Sequence, residues 1–234
     1  MKKANLKKEM RLKRQLELER KKRSRRVLVW SLSGGLVVLF VLLAIIWPKP
    51  APLTLEYDKM PLLGSSDAKV KLIEFSDYKC PTCAWFNDEI VSQLKADFID
   101  SGEVSLSFQN WTIIHEDSYT AALAGLAVYH QSNEEFWKFN DALFAAQKPE
   151  MKEVWATTDF LVDVAANAGL NIDLDQLRYD IENQTYKEEL DRQNAFARKN
   201  NFKGTPTLLI NGEKYDGALN YAGIKAAIEK ALQS

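Results

Sequence analysis

The hydrophobic positions of this chain change their spacing twice. Residues 1–26 carry only a thin apolar stripe, Leu6, Leu12 and Leu16, among basic side chains. Val27 to Trp47, VLVWSLSGGLVVLFVLLAIIW, is apolar without a period and holds no charge. From about residue 57 the pattern is that of a folded domain. Val70–Phe75 reads as a buried strand. Ala84–Asp100 reads as a helix with Phe86, Ile90, Val91, Leu94 and Phe98 on one face, stopped by Ser101-Gly102. Val104–Phe108 alternates apolar and polar and reads as a second strand. Helical spacing follows over 118–131, 133–147, 158–168, 173–183 and 185–200, punctuated by Gly169 and the Asn/Asp cluster at 171–175. Thr207–Ile210 reads as a buried strand, Asn211-Gly212 as a type I′ hairpin turn and Glu213–Tyr215 as its short partner; Asn220–Gln233 closes the chain as a helix. Strand, helix, strand, helical block, hairpin, helix is the order of an α/β sheet interrupted by a helical insertion.

Charge sharpens the division. The net charge of −1 is the sum of +10 over residues 1–26, zero over 27–47 and −11 over 48–234. As a helix, residues 27–47 would rise roughly 31 Å, one hydrocarbon thickness. Trp30 and Trp47 sit near the two ends of the run, and the basic excess precedes it. A single transmembrane anchor is expected, with the N-terminus cytoplasmic and the acidic bulk extracytoplasmic. A cleaved signal peptide is the rival. The run is longer than a secretory apolar core, and Ile46-Trp47-Pro48 is bulky where cleavage needs small residues. No cysteine ends the run, which excludes a lipoprotein. The basic segment is expected to set topology, and no aromatic residue or motif in it supports nucleic-acid binding. Residues 48–56, PKPAPLTLE, read as an extended spacer. The expected organisation is thus a basic cytoplasmic segment (1–26), an anchor (27–47), a Pro-rich linker (48–56) and a domain (57–234) with a helical insertion over about 115–200.

The chain has two cysteines, too few for a disulfide scaffold or a four-cysteine metal site. Both lie in Cys80-Pro81-Thr82-Cys83, where the first strand gives way to the first helix. At this spacing on a first helical turn the sulfurs can close a small disulfide ring. Pro81 suits a position that needs no N–H donor. The helix N-terminus favours a thiolate at Cys80, making it both nucleophile and leaving group. Cys83, one turn in, is expected to be buried and to act as the resolving thiol. As a structural disulfide the pair would close a tiny loop of little value. As a metal site it is half complete, with neither His115 nor His130 at ligand spacing. Redox exchange is the favoured reading.

EFSDYKCPTC after an apolar strand, and GTPTLLING far downstream, resemble the thioredoxin superfamily. The helical block between them resembles its DsbA-like branch, and the basic N-terminus with one anchor resembles the membrane-anchored BdbD-type disulfide oxidoreductases of Gram-positive bacteria. The resemblance covers roughly residues 60–233. It implies a thioredoxin-like fold, with Cys80 as attacking and Cys83 as resolving cysteine and Pro206 as a cis-proline facing them. It further implies that Thr205 offers backbone groups to an extended substrate strand. Glu74, six residues before Cys80, matches a buried acid that relays the proton of Cys83. Pairing of Glu74 with Lys71 in partial exposure is the other possibility. Thr82 departs from the histidine of DsbA proper and, as a hydroxyl, stabilises a thiolate less than a cation would.

The resemblance implies an extracytoplasmic oxidase that passes its disulfide to exported proteins bearing thiols and is reoxidised by a quinone-linked membrane partner. A monomer is expected, with no cofactor beyond the cysteine pair and no metal. Two rivals stay open: a reductase or isomerase on the same fold, and a tethered binding module for unfolded chains or copper(I). His115 reads as a loop or cap residue and His130 as a late helical one. Trp111, Ile113 and Ile114 are candidates for a substrate groove, whereas Phe136, Trp137 and Phe139 read as core of the insertion.

Overall fold

The computed structural model describes residues 55–149 and 151–233, together with Arg20 and Leu53. The expected anchor at 27–47 lies outside the described residues, as do most of the basic segment and most of the linker. Among the described residues no helix is long and apolar enough to cross a membrane.

A five-stranded mixed sheet organises the fold. Its strands are β1 (Leu62–Leu63), β2 (Val70–Ser76), β3 (Val104–Asn110), β4 (Thr207–Ile210) and β5 (Glu213–Lys214), in spatial order β1-β3-β2-β4-β5. The central pair β2 and β3 is parallel, with Glu74 opposite Phe108, and β4 runs antiparallel to β2, with Glu74 opposite Leu208. β1 pairs antiparallel with β3 and escaped the sequence pattern, because two residues are too few to show a period. Asn211 and Gly212 both have positive φ, 50° and 80°, as a type I′ turn requires.

The crossover from β2 to β3 is a continuous helix, α1, over residues 81–99. It opens with the α-helical Pro81–Trp85, and wider π turns at Phe86–Val91 and Lys95–Ile99 flank Ser92–Leu94. After β3 come five helices, α2 (Ser118–Gln131), α3 (Asn133–Ala145), α4 (Thr158–Asn167), α5 (Leu174–Glu182) and α6 (Lys187–Lys199). Helix α7 (Tyr221–Leu232) closes the domain. Side-chain caps explain several helix starts: Ser132 accepts from Glu135 N–H, Thr157 from Phe160 N–H, Asp173 from Gln176 N–H and Asn220 from Gly223 N–H. Helix α2 buries Ala121, Ala122, Leu123, Ala124, Leu126, Ala127 and Val128, apolar on every side, and so forms the centre of the insertion.

The two faces of the sheet bury different cores. Val70 and Leu72 of β2, Leu106 and Phe108 of β3, and Phe86, Ile90 and Leu94 of α1 belong to the larger one, with Phe136, Trp137 and Phe139 of α3. On the opposite face Ile73 and Phe75 meet Leu209, Phe202, Trp111 and Ala197. Phe75 stacks on Phe196 at 5.5 Å, so α6 covers this second face. Gln193 and Asn194 of α6 accept hydrogen bonds from the N–H groups of Asn110 and Thr112 (3.0 and 2.9 Å), finishing the end of β3. Trp111 therefore lines no groove. It is buried against the second core under Arg198, which corrects its sequence-based placement.

Candidate active site

The two cysteines lie where the C-terminal end of β2 turns into α1. Cys80 is the N-cap residue in extended conformation (φ −83°, ψ 116°), with Pro81 inside the first turn. Both cysteines are free thiols in this structure. Pro81 and Thr82 are exposed. Cys80 keeps 6% of its surface accessible, whereas Cys83 keeps none. Both cysteines are thus buried, Cys83 completely and Cys80 less so.

Electrostatics separates the pair further. The Cys80 thiol is lowered from 9.0 to about 6, first by the hydrogen bond from the Cys83 thiol. Burial opposes this. The Thr205 side chain and the backbone N–H groups of Cys83 and Thr82 assist it. Burial pushes the Cys83 thiol well above its usual range, and its bond to Cys80 pushes the same way.

The Thr205–Pro206 peptide bond is cis and faces Cys80, whose thiol donates to the Thr205 carbonyl at 3.4 Å. Thr205 Oγ1 is buried with no hydrogen-bond partner while Cys80 is a thiol. It is the group that can donate to Cys80 as a thiolate. Reasoning from sequence assigned Thr205 a backbone role and missed this hydroxyl.

Glu74 sits on the same face of β2 as Val70 and Leu72, beneath the cysteines, and is only 2% exposed. Lys71 does not pair with it; that ammonium lies 4.8 Å from the Tyr57 ring centroid. Glu74 Oε1 has no hydrogen-bond partner, and burial raises the carboxyl from 4.5 to about 8.

A polar cluster beside the cysteines escaped the sequence. Asp77 accepts from Lys79 N–H with one oxygen (2.9 Å) and from the N–H groups of Ile113 and Ile114 with the other (2.8 and 3.0 Å). Lys79 is fully buried, and its ammonium donates to Asp117 Oδ1 and to the Glu153 carbonyl, each at 2.6 Å. Asp117 Oδ2 takes the N–H groups of Trp155 and Ala156 at 2.9 Å, and His115 Nδ1 lies 2.8 Å from Oδ1. Against burial, which opposes ionisation, Lys79 and these donors hold the Asp117 carboxyl well below its usual range. Only Asp77, a turn-forming residue just past a strand, carried a sequence signal. A lysine beside a cysteine reads as solvated.

The remaining candidates separate. Ile113 is exposed, Phe136, Trp137 and Phe139 are core, and His130 stacks on Tyr186 at 4.1 Å and pairs with Glu189 at 2.7 Å. Among the described residues no group of three or more His, Cys, Asp or Glu side chains is placed to hold a metal ion.

A thioredoxin-type sheet carrying a low-pKa cysteine at a helix N-terminus, a fully enclosed partner and a facing cis-proline defines a dithiol–disulfide exchange protein. Comparison places it more narrowly. The thioredoxin family model (Thioredoxin_4) matches residues 56–230, and the chain belongs to that family. It is 35% identical over 173 residues to disulfide bond formation protein D of Bacillus subtilis strain 168, covering 74% of this chain and 77% of that one. It is 33% identical over 177 residues to a probable disulfide bond formation protein D of Bacillus cereus, covering 76% and 81%. The solved structure of oxidised BdbD from Bacillus subtilis superposes with a TM-score of 0.73 at 32% identity, over 80% of this chain and all of that one.

Proposed function

We propose that this chain is a thiol–disulfide oxidoreductase that donates a Cys80–Cys83 disulfide to exported proteins. The division of labour between the two sulfurs carries the reading. Cys80 keeps the little exposure the pair has and is poised as a thiolate near neutrality, while Cys83 is fully enclosed and its thiol pushed well up. The relatives named for disulfide bond formation support the same activity.

In the oxidised protein a substrate thiolate attacks Cys80 Sγ. A substrate–Cys80 disulfide forms, the Cys80–Cys83 bond breaks, and its electron pair leaves on Cys83. The new Cys83 thiolate is buried beside Glu74, which is protonated up to about pH 8 and hands it a proton. A second substrate thiolate then attacks the substrate sulfur of the mixed disulfide. Cys80 departs as a thiolate, made a good leaving group by its Cys83, Thr205 and backbone donors. The substrate has lost two electrons and the pair has gained them. Stabilising the reduced form in this way favours oxidant over reductase. The Thr205–Pro206 backbone, opposite Cys80, receives the substrate as an added strand.

The same proposal places the domain outside the cell. The uncharged run 27–47 serves as an uncleaved anchor and the basic residues 1–26 remain cytoplasmic. Reoxidation falls to a quinone-linked membrane partner, as the BdbD-type resemblance implies. The test is trapping. Cys83→Ser, with Cys80 preloaded as its thionitrobenzoate mixed disulfide, should release thionitrobenzoate to a single-thiol substrate protein and accumulate the substrate–Cys80 mixed disulfide, and Cys80→Ser should lose exchange altogether. Full activity in Cys80→Ser overturns the assignment.

A further inference from the structure

The mechanism makes no use of the buried cluster around Lys79. A fully buried lysine is expensive unless it is paired and fully hydrogen-bonded, and this one is. Its ammonium reaches Asp117, the Glu153 carbonyl and the Trp155 ring, whose centroid is 5.2 Å away. All three belong to the helical insertion or the loop leading into it, whereas the backbone of Lys79 belongs to the four-residue turn that delivers Cys80. Asp77 fastens the same turn from its other end. Its carboxylate takes Lys79 N–H and the two N–H groups of Ile113 and Ile114, and its carbonyl accepts from Cys80 N–H at 2.9 Å. Asp117 completes the tie by holding Trp155 and Ala156 N–H on the oxygen that Lys79 leaves free.

We propose that Lys79 and Asp117, together with Asp77, are positioning residues for thiol exchange: they lock the β2–α1 turn to the loops at 111–117 and 153–156, and so fix Cys80 at the N-cap. None of the three touches the reacting sulfurs by a hydrogen bond. They act by holding Cys80 in the one backbone conformation from which its sulfur can receive the N–H groups of Thr82 and Cys83 and face Thr205. The cluster also determines where the exposed Ile113 and Val154 stand, because the loops it anchors carry them.

This inference rests on Cys80 being the attacking thiol, so the test reads that thiol directly. Thiolate absorbance of the full chain in detergent, reduced, gives the titration of Cys80, and oxidation of a reduced, unfolded dithiol protein with glutathione disulfide as the terminal oxidant gives turnover. Lys79→Met should retain the wild-type circular dichroism spectrum yet show Cys80 titrating about one pH unit higher. That change corresponds to about a fivefold loss in the equilibrium constant for disulfide donation at pH 7. A Lys79→Met protein that is folded and leaves both the Cys80 titration and turnover unchanged overturns the proposal. If Lys79→Met does not fold, the same readings on the near-isosteric Asp117→Asn decide in the same way. Failure of the underlying functional reading looks different: the wild-type protein itself would show no thiolate titrating below pH 8.

Discussion

Glu74 gives a quantitative test of how deeply the domain buries its acid. Its carboxyl is raised from 4.5 to about 8 by desolvation, and it is only 2% exposed. Between those limits the folded protein keeps a proton that the unfolded chain has released. Stability contributed by this group is thus complete below about pH 4.5 and is lost progressively as pH rises through about 8. The slope across the middle of the window is about −1.4 kcal/mol per pH unit, and the loss amounts to about 3–5 kcal/mol in all. The lowered Cys80 thiol acts in the opposite sense, gaining stability as pH rises from about 6. The measurement therefore belongs on the oxidised protein, in which neither sulfur titrates. Asp117 titrates far below this range and does not interfere. Urea unfolding at half-unit steps from pH 5 to 8.5 should show wild-type stability falling relative to Glu74→Gln. A buried amide adds a constant offset but no slope, so the difference between the two curves isolates the carboxyl. Parallel curves would refute the desolvated acid, and with it the proton relay to Cys83.

Three further outcomes follow from the geometry. Thr205→Val removes one donor to the Cys80 thiolate, worth about 1 kcal/mol, and should raise the Cys80 titration by about one unit in thiolate absorbance while leaving the fold intact. Gly125→Ala brings a Cβ to within 2.9 Å of the Tyr78 hydroxyl and 3.2 Å of its ring, inside the packed α2 interface. It should cost about 1–3 kcal/mol in denaturant unfolding. Lys79→Met leaves Asp117 a buried charge without its cation and should destabilise by about 3–5 kcal/mol, whereas the double change Lys79→Met/Asp117→Asn should cost distinctly less, as read by the same unfolding midpoints.

Much of this protein is legible along the chain because its physics is local. A CPTC at a strand-to-helix junction places a sulfur at a helix N-terminus whatever surrounds it, since the orphan N–H groups belong to the helix itself. Asn211-Gly212 makes its turn for the same kind of reason: both residues tolerate positive φ. The helices of the insertion began and ended within about two residues of their sequence-predicted bounds, because caps and apolar spacing lie within each segment. Burial and pairing across long separations were decided elsewhere. Trp111 looks like a groove residue until α6, some eighty positions later, covers it. Lys79 looks solvated until Asp117 and Glu153 close over its ammonium. The sequence alone thus determined which atoms could do the chemistry, whereas the tertiary structure decided their charge states. An ionisation equilibrium answers to how much water and which dipoles surround a group, and those are set by chain segments that meet only on folding.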